Sequence, residues 1–324
     1  MEVLYILGNG FDKAQGLATS YKEFYSYYIK QQPESALEKR IMDSINADYE
    51  TWADLEIGLG NYSASFSSAQ EFRDVIILLN QRLKAYLSLQ NEIMLSRLDK
   101  FSQNKMISCL CHPERDLEPT GRRVYNSYIR RLSSPVNIRC VSFNYTNTIE
   151  SILGNHVPGI INEGFYFSEI LHIHGTLDDM ILVGVNDESQ IKNEVFRQDP
   201  DIVEEFVKPS INEGCMNTRN QDFESIILNA NIIVLFGVSL GVTDNKWWQL
   251  IGKSIDSSKI PPLLIYFPFN PENNTNLHPN YKLRWTKQYI SFLKERMQIK
   301  MHLDDLKQFV CVGINKEFMK LVES

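Results

Sequence analysis

The sequence has few cysteines, no long hydrophobic run and no excess of positive charge. Its five cysteines are an odd number spread along 324 residues, a usage that argues against a disulfide framework. The first apolar run ends at Gly8 and has no basic residue ahead of it, and no later run approaches the roughly 20 apolar residues that span a membrane. These absences predict a protein without a membrane segment that works in a reducing cytoplasm.

Charge and composition argue against nucleic acid as a partner and for a globular fold. Acidic residues outnumber basic ones by 40 to 33, so the formal net charge is −7. Binding to nucleic acid usually needs a basic stripe, and nucleic acid is therefore not expected as a main partner. The hydrophobic fraction of 43% and the charged fraction of 23% are typical of a globular protein with a full core.

Short apolar runs predict the strands of a parallel sheet. The first run, residues 3–7, is cut off by Gly8-Asn9-Gly10, as expected for a buried strand that enters a tight turn. The later strand-like runs are residues 136–143, 170–173, 180–185, 231–236, 262–267 and 309–312. Helical or loop segments separate them, which is typical of βα units. The fold class predicted is α/β, with a Rossmann-like parallel sheet.

A long helical segment separates the first strand from the second. One apolar stripe repeats at spacings of four and three, at Phe72, Ile76, Leu79, Leu83 and Tyr86. A shorter stripe comprises Trp52, Leu55 and Leu59. We therefore predict a helical insertion or cap over residues 21–131 and a sheet domain formed by residues 1–20 and 132–324. The insertion suggests a lid, an oligomer interface or a trigger sensor.

The turn after the first strand carries a partial phosphate-binding motif. Gly8 and Gly10 would let the backbone approach a phosphate, and the next helix would point its free N–H groups at the negative charge. Lys13 replaces the third glycine of the full G-x-G-x-x-G motif, so a plain strand–helix turn without a ligand is the alternative. In the following loop, Thr19 and Ser20 could donate to a ribose or phosphate, or could cap a helix over residues 21–29.

Polar residues also follow two later strands. Asn144 and Tyr145 end one of them, and His172 and His174 end another. Ligands of open parallel sheets bind outside the carboxyl ends of the strands, so these groups are candidate site residues. The alternation of the histidines with apolar neighbours predicts that both point to one face. A metal site at the two histidines lacks a third ligand. Cys109, Cys111 and His112 are close to one another in sequence, but they are interpreted as a loop and not as a zinc site.

The turn around Ser239 raises a rival function. Residues 237–241 read G-x-S-x-G, the nucleophile elbow of α/β-hydrolases, and follow an apolar strand. His278 and His302 follow it, as that fold requires, and Asp256 is a conceivable acid. An H-G-G-G oxyanion loop is missing from the sequence. A serine esterase is therefore an alternative, beside a turn that only contacts a ligand.

These turns, taken in order, resemble a SIR2-like domain, and the chain as a whole resembles the AbiH family of phage abortive-infection proteins. The motifs that carry the resemblance are ILGNGFDKAQGLATSYKEF, WADLE, VSFNYTNTIE, HIHGT and FGVSLGVTDNKWW. The resemblance implies NAD as the ligand or substrate. The C-x-x-C pairs of deacetylating sirtuins are missing, so neither their zinc nor peptide deacetylation is expected.

The resemblance also implies roles for individual residues. Asn144 would orient the nicotinamide ribose or the attacking water, and His174 would accept a proton. The residues implied to bind the nucleotide are Gly8, Asn9, Gly10, Phe11, Asp12, Gly237, Ser239 and Asp244. We predict that Thr19, Ser20, Tyr21 and Tyr145 also bind it. The implied function is an abortive-infection effector that hydrolyses NAD to nicotinamide and ADP-ribose, with a non-catalytic NAD or ADP-ribose sensor as the alternative. A homo-oligomer and a phage-derived trigger are further expectations.

Glu56 lies at the edge of the shorter apolar stripe. A carboxylate at this position would either face solvent or reach over the cleft from the helical cap. The sequence leaves both readings open.

Overall fold

The computed structural model describes residues 1–132, 135–179, 181–214, 218–269, 279–313 and 317–321. Within these ranges one seven-stranded sheet runs through the centre of the molecule. Its strands are β1 (Glu2–Leu7), β2 (Val136–Ser142), β3 (Gly159–Asn162), β4 (Phe165–His172), β5 (Ile232–Phe236), β6 (Leu263–Phe267) and β7 (Val310–Val312). The mixed α/β class predicted from the sequence is confirmed.

The strands lie in the order β3-β4-β2-β1-β5-β6-β7. All neighbouring pairs are parallel except β3 with β4, which is antiparallel. Without β3, the six parallel strands follow the order third, second, first, fourth, fifth, sixth, which is also found in doubly wound α/β sheets. The order reverses between β1 and β5, and ligands of doubly wound sheets bind at such a switch point, outside the carboxyl ends of the strands.

The same parts of the chain form fifteen α-helices. They are α1 (Asn9–Ala14), α2 (Tyr21–Tyr28), α3 (Ala36–Ala47), α4 (Leu55–Tyr62), α5 (Ala69–Leu95), α6 (Lys100–Cys111), α7 (Pro119–Ile129), α8 (Thr148–Leu153), α9 (Glu194–Arg197), α10 (Pro200–Phe206), α11 (Lys208–Gly214), α12 (Arg219–Asn229), α13 (Asn245–Ser257), α14 (Pro279–Arg296) and α15 (Leu303–Leu306). Among the described residues, no helix combines the length and the apolar character needed to cross a membrane.

Side chains of β1 alternate between two cores. Tyr5 and Leu7 face one side of the sheet and pack with residues of α1, α6, α7 and α8. Leu4 and Ile6 face the other side and pack with residues of α12, α13 and α14. This alternation follows from the two-residue period of a strand, and burial on both sides explains the continuous apolar run.

A third core lies in the helical layer above the carboxyl ends of the strands. It combines α2, α3, α4 and α5 with the later segment that leads to α10. The predicted stripe on α5 is confirmed, because its residues are buried in this core. Helices α6 and α7 instead pack against the sheet, although they belong to the predicted insertion. The boundaries of 1–20, 21–131 and 132–324 stay a prediction.

Three local predictions are corrected. Residues 181–184 form no strand, and Val185 makes only an isolated bridge with Val207 (residue 180 lies outside the described ranges). This apolar run is buried between helices, and periodicity cannot distinguish that environment from a sheet. Trp52 precedes α4, because Asp54 caps the helix with its side chain. Cys109 and Cys111 lie on α6 and not in a loop.

The sequence also gave no signal for β3. This strand is at the edge of the sheet and exposes most of its side chains, so it lacks the apolar run by which the other strands were recognised. Its partner β4 is correspondingly longer than the predicted residues 170–173.

Candidate functional site

A cavity of about 380 Å³ opens at the carboxyl ends of β1, β2 and β5, beneath the helical layer. Volumes of roughly 300–1,000 Å³ are usual for small-molecule sites. Twelve of the fourteen predicted site residues line it: Gly8, Asn9, Asp12, Thr19, Ser20, Tyr21, Asn144, Tyr145, His174, Gly237, Ser239 and Asp244. The other two, Gly10 and Phe11, lie behind its wall. The predicted residues therefore converge on one place in the fold.

The glycine turn is packed against the turn that follows β5. The N–H groups of Gly8 and Gly10 donate to the carbonyl oxygens of Phe236 and Gly237, at 3.0 and 2.9 Å. A Cβ on Gly10 would lie 2.5 Å from the Cα of Gly237, so these glycines permit a close approach of two backbones. Because the N–H groups of Gly8 and Gly10 are already engaged, they are not available to bind a ligand. Gly8 and Asn9 nevertheless line the cavity.

The loop after α1 is held by its own polar groups. Thr19 donates from Oγ1 to Oδ1 of Asn9 at 2.5 Å. Ser20 caps α2 and forms a capping box with Glu23. The capping role predicted for this loop is thus confirmed at Ser20, and Thr19, Ser20 and Tyr21 also line the cavity.

Asp12 is a buried carboxyl group in the wall of the cavity. Its Oδ2 accepts from Thr146 at 2.5 Å, and Thr146 accepts in turn from Thr148 at 3.1 Å. Its Oδ1 is buried without a hydrogen bond from the described residues. Burial raises the pKa of Asp12 to about 6, although the hydrogen bonds favour the ionised form. Asp12 therefore offers an acceptor that a ligand hydroxyl could satisfy.

Asn144 is fixed by several neighbours. Its Nδ2 donates to the carbonyl oxygen of Gly8 at 3.1 Å, and its backbone N–H donates to Oγ of Ser142 at 3.2 Å. The backbone carbonyl oxygen of Asn144 accepts from Nδ1 of His172 at 2.9 Å, and Nε2 of His172 lies 2.6 Å from Oε1 of Glu150. His172 thus supports Asn144 from behind, outside the cavity.

The prediction that both histidines share one face is wrong. Strand β4 ends at His172, and the chain turns at Ile173 and His174, so the alternation of a strand does not extend to His174. His174 lines the cavity and His172 does not.

His174 is paired with Asp244 and packed between rings. Nε2 of His174 lies 3.2 Å from Oδ1 of Asp244. The ring of Phe143 contacts the imidazole edge-on, with the ring centroids 5.2 Å apart, and stacks on Trp248 with the centroids 5.5 Å apart. Phe143 and Trp248 both line the cavity. The site therefore encloses the imidazole between an acid and apolar surfaces.

The surroundings favour a neutral His174 and an ionised Asp244. Burial and the charge of Lys208 lower the pKa of His174, and Asp244 offsets only part of this. Burial opposes ionisation of Asp244, yet Lys208 and His174 outweigh it and lower its pKa to about 2. At neutral pH the site thus holds a neutral imidazole beside a carboxylate, the states needed for a base and its orienting acid.

Sequence reasoning missed Lys208 and left Glu56 undecided. Both are buried and line the cavity, and Nζ of Lys208 lies 2.8 Å from Oε2 of Glu56. The backbone at Lys208 is held by the bridge between Val185 and Val207, and the N–H of Lys208 donates to the carbonyl oxygen of Val185. Because Lys208 is 152 residues from Glu56, no local pattern could have indicated the pair.

The esterase alternative loses two of its proposed partners. Ser239 lies in the cavity, at the carboxyl end of β5. Asp256 is near the far end of α13, where it accepts from the N–H groups of Lys300 and Met301, and His302 caps α15 before β7. Both therefore lie at the opposite end of the sheet from Ser239. His278 is outside the described residues.

Comparison with known families agrees with the resemblance seen in the motifs. A family model described as bacteriophage abortive infection AbiH matches residues 4–266. The chain belongs to the AbiH family. The match includes residues 4–7 of β1, all of β2 and β5, and every residue that lines the cavity. Membership in the AbiH family indicates a role in abortive infection by bacteriophage. No curated protein sequence matches this AbiH chain.

The described ranges contain no group of three or more His, Cys, Asp or Glu side chains arranged to hold a metal ion.

Proposed function

We propose that this AbiH protein is an abortive-infection effector that binds NAD in the cavity and hydrolyses the bond between nicotinamide and ribose. The observation that carries the proposal is the pairing of a buried, neutral His174 with an ionised Asp244 in a cavity where the sheet order reverses. Ligands of doubly wound sheets bind at such a crevice. Depletion of NAD in the infected cytoplasm would stop phage replication together with the host.

Four groups would position the nucleotide. Asn9 and Thr19 face the cavity beside the glycine turn, where a ribose or phosphate group would lie. The unpartnered Oδ1 of Asp12 would accept from a ribose hydroxyl. Ser239 would contact the adenosine side, as the SIR2-like resemblance implies. This placement lets the two strand turns hold the ligand while the helical layer covers it.

The chemical step needs one base and a held sugar. The bond between ribose C1′ and the nicotinamide nitrogen breaks, its electron pair leaves with nicotinamide, and C1′ gains positive character. Water then bonds to C1′ and gives a proton to His174. When Nε2 donates to Asp244, Nδ1, which has no hydrogen bond from the described residues, is the acceptor. The carboxylate of Asp244 stabilises the imidazolium that forms, and Asn144 orients the ribose or the water.

A direct assay tests this proposal. Purified protein is incubated with NAD, and nicotinamide and ADP-ribose are separated by chromatography. The wild type is expected to release both products, and His174→Ala is expected to lose about 10²–10⁴-fold in rate, the usual contribution of a positioned base. Asn144→Ala should lose turnover as well. The matched control is His302→Ala, because His302 is exposed at the opposite end of the sheet.

The outcomes separate the candidate functions. Binding of NAD by calorimetry without release of products by wild-type protein would favour a sensor over an enzyme. Esterase activity lost in Ser239→Ala and retained in Asn144→Ala would favour a hydrolase of the other class. Neither binding nor turnover would overturn the NAD proposal. Addition of a phage lysate to the assay tests the expected phage-derived trigger, and light scattering tests the expected homo-oligomer.

A further inference from the structure

Four titratable side chains form a continuous buried row along one wall of the cavity. Glu56 contacts Lys208 at 2.8 Å, Lys208 lies 3.9 Å from Asp244, and Asp244 lies 3.2 Å from His174. Four separate segments supply them: the first turn of α4, the first residue of α11, the start of α13 and the turn after β4. The row therefore exists only in the folded chain.

Acidic and basic side chains alternate along this row, in the order Glu56, Lys208, Asp244 and His174. Lys208 is the only one of the four that carries a positive charge when His174 is neutral, and it lies between the carboxyl groups of Glu56 and Asp244. Burial disfavours the charge of Lys208, but the two acids outweigh it and raise its pKa. Burial raises the pKa of Glu56 to about 8 in spite of Lys208. Lys208 is thus the fixed charge around which the other groups adjust.

Further charged and titratable groups from several elements face this row. The groups that face His174 are Asp244 and Lys246 from the start of α13, Lys208 from α11 and the phenol of Tyr145 from the turn after β2. The groups that face Lys208 are Glu56 and Asp54 from the start of α4, and Asp244. Lys246 is also held over the ring of Trp247 at 4.2 Å, so Lys208 is the cation most directly placed between acids.

We propose that Lys208 is a positioning residue for the hydrolysis proposed above: anchored by Glu56, its ammonium keeps Asp244 ionised against His174 and keeps the imidazole unprotonated. A base must be neutral before it can accept a proton, so this arrangement makes His174 active at neutral and mildly acidic pH. Without the cation, two buried acids would face each other, and the nearby imidazole would gain a proton more easily. Lys208 need not touch the substrate to act in this way.

The test follows His174 itself by NMR titration of the histidine side chains, with the signal assigned from the His174→Ala spectrum. In wild-type protein His174 should titrate below the ordinary histidine value of about 6.5. In Lys208→Met the midpoint should rise by about one pH unit or more. Lys208→Arg, which keeps the charge, should restore the low midpoint. Lys253→Met, which removes an exposed cation from α13, is the matched control and should leave the midpoint unchanged.

A second variant covers the case in which Lys208→Met fails to fold. Glu56→Gln with Lys208→Met removes both members of the buried pair and leaves no unpaired carboxylate at position 56. The midpoint of His174 should rise in this double variant too. An unchanged midpoint in either folded variant, or a rise that Lys208→Arg does not reverse, would overturn the role of Lys208.

Turnover gives an independent readout. The acidic limb of the pH–rate profile should move upward with the NMR midpoint in Lys208→Met. If wild-type protein releases no nicotinamide, the proposed hydrolysis fails, whereas the titration of His174 in the free protein still decides the role of Lys208.

Discussion

His172 and His174 are separated by one residue, yet the structure gives them opposite properties. Each contacts one carboxylate, Glu150 at 2.6 Å and Asp244 at 3.2 Å. Burial alone would lower the pKa of both. For His172 the hydrogen bond and charge of Glu150 outweigh burial and raise the pKa, whereas Lys208 adds to burial at His174 and lowers it.

Since each histidine has an acid partner, the difference shows that the other neighbours decide whether that partner outweighs burial. The carbonyl of Asn144 and the carboxylate of Glu150 can only accept hydrogen bonds, so His172 is best satisfied with a proton on both nitrogens. These partners therefore favour the charged form of His172. His174 faces a cation and the cavity, so it stays neutral and remains available as a base.

Turnover should separate the two histidines most strongly. His174→Gln should lower kcat for NAD hydrolysis by about 10²–10⁴-fold, because the proton acceptor is lost. His172→Gln should lower it by less than about tenfold, since an amide can still donate to the carbonyl of Asn144. The measurement is kcat at saturating NAD. Equal losses in the two variants would mean that they do not have distinct roles.

Stability should show the reverse ranking. His172→Ala should lower the free energy of unfolding by about 1–3 kcal/mol, because it leaves the buried carbonyl of Asn144 without its donor. His174→Ala should cost less, since water in the cavity can occupy the vacated space. Urea unfolding of both variants measures the difference, and a larger loss for His174→Ala would contradict the assignment.

The pH dependence of stability should have opposite signs at the two positions. The raised pKa of His172 contributes stability that is full below the unfolded value of about 6.5 and is lost as the pH rises through the folded value. The lowered pKa of His174 contributes stability that is full above about 6.5 and is lost as the pH falls through the folded value. Each slope is at most about 1.4 kcal/mol per pH unit.

Unfolding curves from pH 5 to 8 for His172→Gln and His174→Gln check these signs. Subtraction of each variant from wild type isolates one histidine. The prediction fails if the two difference curves slope in the same direction.

Removal of the acid behind His172 should have the smallest effect. Glu150→Gln keeps the size of the side chain but removes the charge that favours protonated His172, so Asn144 is held less firmly. We expect about a fivefold lower kcat, which corresponds to about 1 kcal/mol for one hydrogen bond. Glu163→Gln, at an exposed position in the β3–β4 turn, is the control. A loss in Glu150→Gln as large as in His174→Gln would place Glu150 in the chemistry itself.

Much of the fold could be predicted because buried parallel strands form recognisable apolar runs in the sequence. Five of the predicted runs match β1, β2, β5, β6 and β7, and burial on both faces makes β1, β5, β6 and β7 almost continuously apolar. The run at 180–185 has the same composition but is buried among helices, and β3 lacks the signal because it is an exposed edge strand. Apolar composition reports burial and not the partner against which a segment packs.

From the sequence alone, the turns that follow the predicted strands were expected at one edge of the sheet, because the carboxyl ends of parallel strands lie on the same side. The strand order of the folded sheet then brings Asn9, Asn144, His174 and Ser239 into one cavity. The charge and orientation of these groups depend on tertiary packing. Lys208 reaches Asp244 and Glu56 across long stretches of chain, and β4 ends between the two histidines. A pKa depends on distances of a few ångströms and on burial, and both arise only when remote segments pack.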